Sequence, residues 1–315
     1  AELGSPFHAV PLPFDPAARI DWTPVWSFRS NSFRYLPTSY CYYGYPSPPD
    51  ATTSWADSNG CAAGNTLEEA ALQGLLELVE RDAVAIWWYN RLSRPGVDLE
   101  SYDEPYVDEL RRCYASLGRE LWALDITSDL GIPTFAAVSR RIDQPAEDIL
   151  FGFGAHLDAR VALLRALTEM NQFMPAVHGA GSRGPASSTT GPHGYGDRAA
   201  VDWWQTATLR NQPYLAPSAD IPARRAWDHA PLSSADLRDD VSLCIARAAR
   251  LGLETLLLDQ TLPDVGLRVV KMIVPGMRHF WARFAPGRLY DVPVEMGWLP
   301  RPLREDELNP IPMFL

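Results

Sequence analysis

The chain has almost no lysine. Lys271 stands alone against 27 arginines, and it lies inside an apolar, strand-like run. A phosphate loop of the Gly-Lys-Ser/Thr kind is thereby excluded. Basic clusters with interleaved aromatics are also missing, and the net charge of −11 argues against a nucleic-acid surface. Cysteines are few (Cys41, Cys61, Cys113, Cys244) and form no Cys-x-x-Cys pair. A structural zinc site is not expected, and reduced thiols in a cytoplasmic protein are. No apolar run approaches the roughly 18 residues of a membrane span. The opening AELGSPFHAVPLPFDP has no initiator methionine and no secretory or transit-peptide composition. It reads as the start of an excised or processed piece of a larger protein.

What is present is 315 residues, 46% hydrophobic and 21% charged, enough for one large core or two modest ones. Residues 1–57 are rich in proline, tyrosine and serine and read as an extended N-terminal arm with short strands such as Phe33–Leu36. Residues 58–315 read as the core of the protein, closed by a proline-punctuated tail. A long helix is expected from about Thr66, where Glu69 completes a capping box. Another is expected at Asp103–Leu117, then β-type runs at Leu121–Ile126, Thr134–Ser139 and Ile149–Gly154. Asp158 caps the helix DARVALLRALTEMNQF, residues 179–197 read as a loop, and a helix near Leu237–Leu251 precedes strands at Leu253–Asp259 and Leu267–Val274. Strands in blocks between helices favour an α+β or mixed α/β layered domain over a doubly wound sheet.

The first long helix carries most information. Leu72, Leu75, Leu76, Val79, Ala83 and Ile86 recur at core-facing spacing, and Leu78, Ala85 and Tyr89 add a second apolar flank. Yet Glu77, Glu80 and Arg81 sit near its middle. Two like charges on a largely buried helix cost several kcal/mol (roughly) unless a cation neutralises them, and a bound metal ion is the natural candidate. The second helix repeats the pattern: Arg165, Glu169 and Gln172 form one polar stripe among Val161, Ala162, Leu164, Leu167 and Met170. Such a stripe reads either as a solvated surface pair or as Mg²⁺ and phosphate ligands, carboxylates for the metal and arginines for phosphate oxygens.

Other features stay open. SNGCAAGN at 58–65 reads as a glycine-rich helix entry, with backbone N–H groups for a phosphate or with a purely steric role. Cys61 in it reads as a small packed residue, or as a nucleophile without a nearby histidine. His156 reads as polar packing or a site residue. The strip RHFWARFAPGRLYDVP (Arg278–Pro293) reads as a packed loop or a peptide groove.

SNGCAAGNTLEEAALQGLLELVERDAVAIWW together with GAHLDARVALLRALTEMNQ resembles the YcaO superfamily. More narrowly it resembles the subunits that make thiazole and oxazole rings in ribosomally synthesised peptides, in the streptolysin S-type maturase branch. The similarity runs on through YDVPVEMGWLPRPL to NPIPMFL. The resemblance implies helices packed on a mostly antiparallel sheet and ATP bound without a P-loop, through glutamates that hold Mg²⁺. It assigns Glu77, Glu80 and Glu169 to the metal, and Ser58, Asn59, Arg81, Arg165 and Gln172 to the nucleotide. It carries Pro310, Pro312 and the Leu315 carboxylate into the active site. It also implies an earlier nucleotide-binding segment, with a Ser-Gly-Lys stretch and a further Glu-x-x-Glu pair, which would precede residue 1.

The implied chemistry is cyclodehydration. A Cys, Ser or Thr side chain attacks the preceding carbonyl, the hemiorthoamide oxygen is phosphorylated by ATP, and phosphate leaves to give an azoline. Thioamide or amidine formation at the same nucleotide site is a second reading, and a non-catalytic peptide-binding or scaffold fragment is a third. The expected partners are a precursor peptide, a leader-binding protein or domain and, by resemblance, a second copy in a homodimer; neither nucleic acid nor membrane is expected.

Overall fold

The computed structural model describes residues 12–17, 19–46, 54–177 and 198–314. The loop read at 179–197 and Leu315 fall outside them. The strands are β1 Trp22–Ser27, β2 Ser32–Pro37, β3 Cys61–Gly64, β4 Arg119–Asp125, β5 Thr134–Arg141, β6 Leu150–Ala155, β7 Leu256–Asp259 and β8 Arg268–Ile273. The α-helices are α1 Thr38–Cys41, α2 Leu67–Asn90, α3 Pro105–Ser116, α4 Ala159–Val177, α5 Arg198–Thr206, α6 Leu237–Arg250 and α7 Arg288–Glu295. All paired strands run antiparallel, in one sheet ordered β2-β1-β7-β8-β3 and another ordered β4-β5-β6. Helices packed on antiparallel sheet is the layering the sequence led us to expect. The chain divides into two compact units, residues 1–81 with 234–283 and residues 82–233 with 284–315, so the division falls within α2.

In the first unit, β1 alternates cleanly. Thr23, Val25 and Ser27 face inward and Trp22, Pro24 and Trp26 outward. Val25 joins Cys41, Leu256, Leu258 and Ile273 in a buried cluster, with Leu36 and Tyr40 against it. Pro24 is tolerated because β7 pairs with β1 only at Trp26 and Ser27, leaving that side of the strand open at residue 24. Residues 22–37, expected as part of an extended arm, are thus a hairpin built into the sheet. SNGCAAGN is also not a helix entry. Cys61–Gly64 forms β3 against β8, with Cys61 opposite Lys271, and α2 starts only after Thr66. The expected capping box is present in altered form. Thr66 Oγ1 accepts from Glu69 N–H at 3.1 Å, while the Glu69 carboxylate takes the N–H of Asn65 at 2.8 Å.

In the second unit, β5 and β6 are buried almost throughout, which explains their continuous apolar sequence. α4 lies on β6 at glycines. A Cβ on Gly154 would come within 2.2 Å of the Ala162 carbonyl oxygen. Gly154→Ala is expected to lower stability by about 1–3 kcal/mol, seen as a lower urea midpoint. Residues 82–90 of α2 are buried on all sides, so periodicity is weakest where the helix is deepest. Trp87 and Trp88 head an aromatic cluster with Phe151, Phe153, Trp203, Tyr214 and Phe314. No helix among the described residues is long and apolar enough to cross a membrane.

Candidate functional site

The first unit gathers five of the expected site residues. Ser58, exposed, and Asn59 lie in the turn before β3, and Glu77, Glu80 and Arg81 lie on the following helix. Gly60 joins the two groups. Its N–H donates to Glu77 Oε2 at 3.2 Å and its carbonyl accepts from Met272 N–H at 2.8 Å. With φ at +77° and the Met272 oxygen 2.1 Å from any added Cβ, only glycine fits there. Arg81 supplies a cation where the sequence points to a metal. It reaches Glu77 at 3.5 Å and Glu80 at 3.9 Å, and its guanidinium stacks 4.0 Å over the Phe280 ring. The compensation is partial: burial raises the Glu77 carboxyl above the ordinary carboxylate range, with Arg81 and the Gly60 N–H opposing it.

Three residues here were not singled out as a site in the sequence. The lone lysine is fully buried, and Lys271 Nζ donates to the Asp57 carbonyl at 2.6 Å and to Asp57 Oδ1 at 3.3 Å. Asp57 Oδ2 is 3.9 Å from His279 Nε2, while His279 Nδ1 accepts from the Trp281 N–H at 3.0 Å. The signal available beforehand was a single lysine placed in an apolar strand, which demands a buried counter-charge. Asp57 and His279 border a cavity of about 440 Å³ that also touches Asn59 and Arg283. Burial pushes the His279 imidazole down to about 4, aided by Arg81 and Arg283 and opposed by Asp57. The sign follows from the unfolded value near 6.5: between about pH 6.5 and 4 the unfolded chain takes a proton that the folded one refuses, so stability falls on acidification through that window. His279→Gln is expected to remove most of a loss on the order of 3 kcal/mol, checked by urea unfolding at pH 7.5 and pH 4.5. Cys61 is no activated thiol, since burial raises its pKa and its Sγ sits 3.8 Å from the Asp57 carbonyl.

The second unit gathers the remaining expected residues. On α4, Glu169 accepts a hydrogen bond from the Phe153 N–H of β6, Arg165 donates to the Ala155 carbonyl at 3.4 Å, and Gln172 is exposed. The polar stripe is therefore held against the sheet rather than wholly solvated. His156 receives the Asp158 N–H on Nδ1 just ahead of α4. The tail is threaded into the same unit. Asn309 N–H donates to the Tyr89 carbonyl at 2.7 Å, Trp88 Nε1–H to the Ile311 carbonyl at 2.7 Å, and Met313 N–H to the Tyr89 hydroxyl at 3.2 Å. Pro310 stays exposed and Pro312 half-buried between these anchors.

The donor set suits a hard cation. Asn59 Oδ1 is buried without a hydrogen-bond partner among the described residues, one residue before the Gly60 N–H that Glu77 accepts, and burial of the Glu77 carboxylate is costly. Oxygen ligands of this kind fit Mg²⁺, which keeps phosphate or water at its other positions. Among the described residues no three His, Cys, Asp or Glu side chains are already assembled around one point.

A family model described as YcaO cyclodehydratase, ATP- and Mg²⁺-binding, matches residues 1–278. A solved heterocyclase in complex with substrate and cofactor is 51% identical, with a TM-score of 0.89 over 96% of this chain and 39% of its own. The structure of the heterocyclase TruD is likewise 51% identical, with a TM-score of 0.87 over 97% of this chain and 41% of its own. An uncharacterized protein of Methanothermobacter thermautotrophicus is 28% identical over 271 residues, 84% of this chain and 67% of that protein. The chain thus spans about two fifths of the length of the two heterocyclases.

Proposed function

The chain belongs to the YcaO cyclodehydratase family, whose cofactors are ATP and Mg²⁺, and from that membership we propose that it converts Cys, Ser or Thr residues of a ribosomally synthesised peptide to azolines. The observation that carries the reading is the partly buried Glu77–Glu80–Arg81 group, tied through Gly60 to Asn59. In the first unit, Glu77 and Glu80 supply carboxylate oxygens for Mg²⁺, Asn59 and Ser58 bind the nucleotide, and Arg81 contacts phosphate. In the second unit, Glu169 would offer a carboxylate oxygen to Mg²⁺, and Arg165 and Gln172 would contact nucleotide. When bound, Mg²⁺-ATP supplies the phosphoryl group that makes the amide oxygen a leaving group. The chain's own work is positional: fixed arginines and carboxylates hold charge in place before it builds on the transferred group. The tail residues Pro310 and Pro312, in a segment anchored by Trp88 and Tyr89, serve the reacting amide together with the Leu315 carboxylate. A leader-binding domain or partner protein delivers the peptide.

The test is isotopic. If the peptide's amide oxygen leaves as phosphate, a heavy-oxygen label at that carbonyl appears in the released phosphate. In thioamide formation the same label also leaves as phosphate, but the peptide gains sulfur in place of that oxygen instead of losing water; label retained in the peptide would contradict phosphorylation of the amide oxygen.

A further inference from the structure

β4 is the outer strand of the three-stranded sheet, and part of its outer edge is open. Main-chain groups of Ala123 and Asp125 turn outward and bond Val97 N–H and the Pro95 carbonyl. Hydrogen-bonding direction alternates along an antiparallel strand, so Arg119 and Leu121 turn the same way. Among the described residues, their outward N–H and C=O groups meet no main-chain partner. Alongside lies a groove of about 890 Å³ between α3 and β4, with apolar footing from Trp122 and Ile142.

The groove is cationic on a chain that is strongly anionic. Arg111 and Arg112 project from exposed positions of α3, and Arg119 lies at its base. Arg111 is paired with Glu100 at 3.2 Å, which leaves Arg112 as the exposed cation; of the two carboxylates lining the groove, Asp108 and Glu120, the second is occupied by Arg140 at 2.8 Å. Arg119 is almost wholly buried and held by Ser139 Oγ and the Asp148 carbonyl, yet its Nη1 finds no partner among the described residues. An open strand edge with arginines above and below it suits one kind of occupant.

We infer that this groove docks an extended, acidic peptide segment, which adds to β4 as a strand and sets its carboxylates on Arg112 and Arg119. Main-chain pairing at Arg119 and Leu121 gives the register, and alternate side chains of the incoming strand face the arginines. The inference deepens the peptide-modifying reading and rests on it for the identity of the peptide: the occupant is a stretch of precursor flanking the residues to be cyclised.

The test uses the full chain and two fluorescent peptides about ten residues long, one alternating Val and Glu, the other Val and Lys. Anisotropy is expected to show the Glu peptide binding at least about tenfold tighter, with affinity falling as salt rises. Arg112→Glu, on an exposed helix face, is expected to weaken the Glu peptide by about tenfold or more and to strengthen the Lys peptide. Leu121→Pro, once circular dichroism shows it folded, is expected to weaken the Glu peptide through the lost N–H. Mg²⁺-ATP affinity, measured by calorimetry, stays unchanged in both variants. Equal binding of the two peptides, no binding by the unaltered chain because another segment or a second copy covers the edge, or indifference to Arg112→Glu overturns the inference. If Mg²⁺-ATP fails to bind while the peptide results hold, the cyclodehydratase reading fails and the docking surface stands.

Discussion

Arg288→Met is expected to destabilise the second unit by about 3–5 kcal/mol, enough to unfold much of it at ordinary temperature. Arg288 forks between two carboxylates. Its Nη2 is 2.6 Å from Asp82 Oδ2 and 2.7 Å from Asp129 Oδ1, its Nε is 3.0 Å from Asp82 Oδ1, and its Nη1 is 2.9 Å from Asp129 Oδ2. The Asp82 side chain is wholly buried, so removing the guanidinium strands a carboxylate with nowhere to hydrate. Arg288→Lys keeps the charge and loses the two-sided fork, and should fall between the two. Asp82→Asn introduced into Arg288→Met should recover part of the loss, because the stranded charge has gone. Urea unfolding reads all three. A loss below about 1 kcal/mol for Arg288→Met would mean that the trio is hydrated and contributes as little as a surface pair.

The second large effect concerns chemistry. Glu80→Ala is expected to abolish ATP-dependent dehydration, a fall of at least about a hundredfold in turnover, while the fold survives. Survival is expected because Arg81 keeps its pairing with Glu77 and its place over Phe280. A melting temperature close to that of the parent, together with lost turnover, separates a ligand from a structural residue. Glu77→Gln adds a distinction. It retains a partner for the Gly60 N–H but removes the charge whose burial is costly, so it should raise stability slightly and still lower activity.

Much of this was legible locally. The periodicity of α2 and α4, the capping residues Thr66 and Asp158, and the β-rich runs of β4 to β6 placed those elements within a few residues, because each is specified by near neighbours. SNGCAAG was misjudged for the same reason. Small residues after a glycine look like a helix entry, and only pairing with β8 across the chain makes Cys61–Gly64 a strand. α7 was missed because Pro293 and the preceding glycine suggest a loop, whereas Leu289 and Val292 bury one face of it.

At the site, Glu77, Glu80 and Arg81 stood out as charges on a helix too apolar to carry them. Their neutralisation by Arg81 itself did not, since spacing of three and four residues allows a pairing without requiring it. Asp57 lies far in sequence from Lys271 and His279 and meets them only through the fold, and Asp82, Asp129 and Arg288 likewise meet only through the fold. Long-range charge pairs leave no periodic mark; the isolated Lys271 in an apolar strand was the one trace.

The measurement closest to the central claim is mass spectrometry of a precursor peptide incubated with the full chain and Mg²⁺-ATP, with Glu80→Ala beside it. The account predicts loss of one water per ring from the peptide, matched by ADP release, and neither with Glu80→Ala. Water loss that proceeds without ATP, or at an undiminished rate in Glu80→Ala, would contradict it.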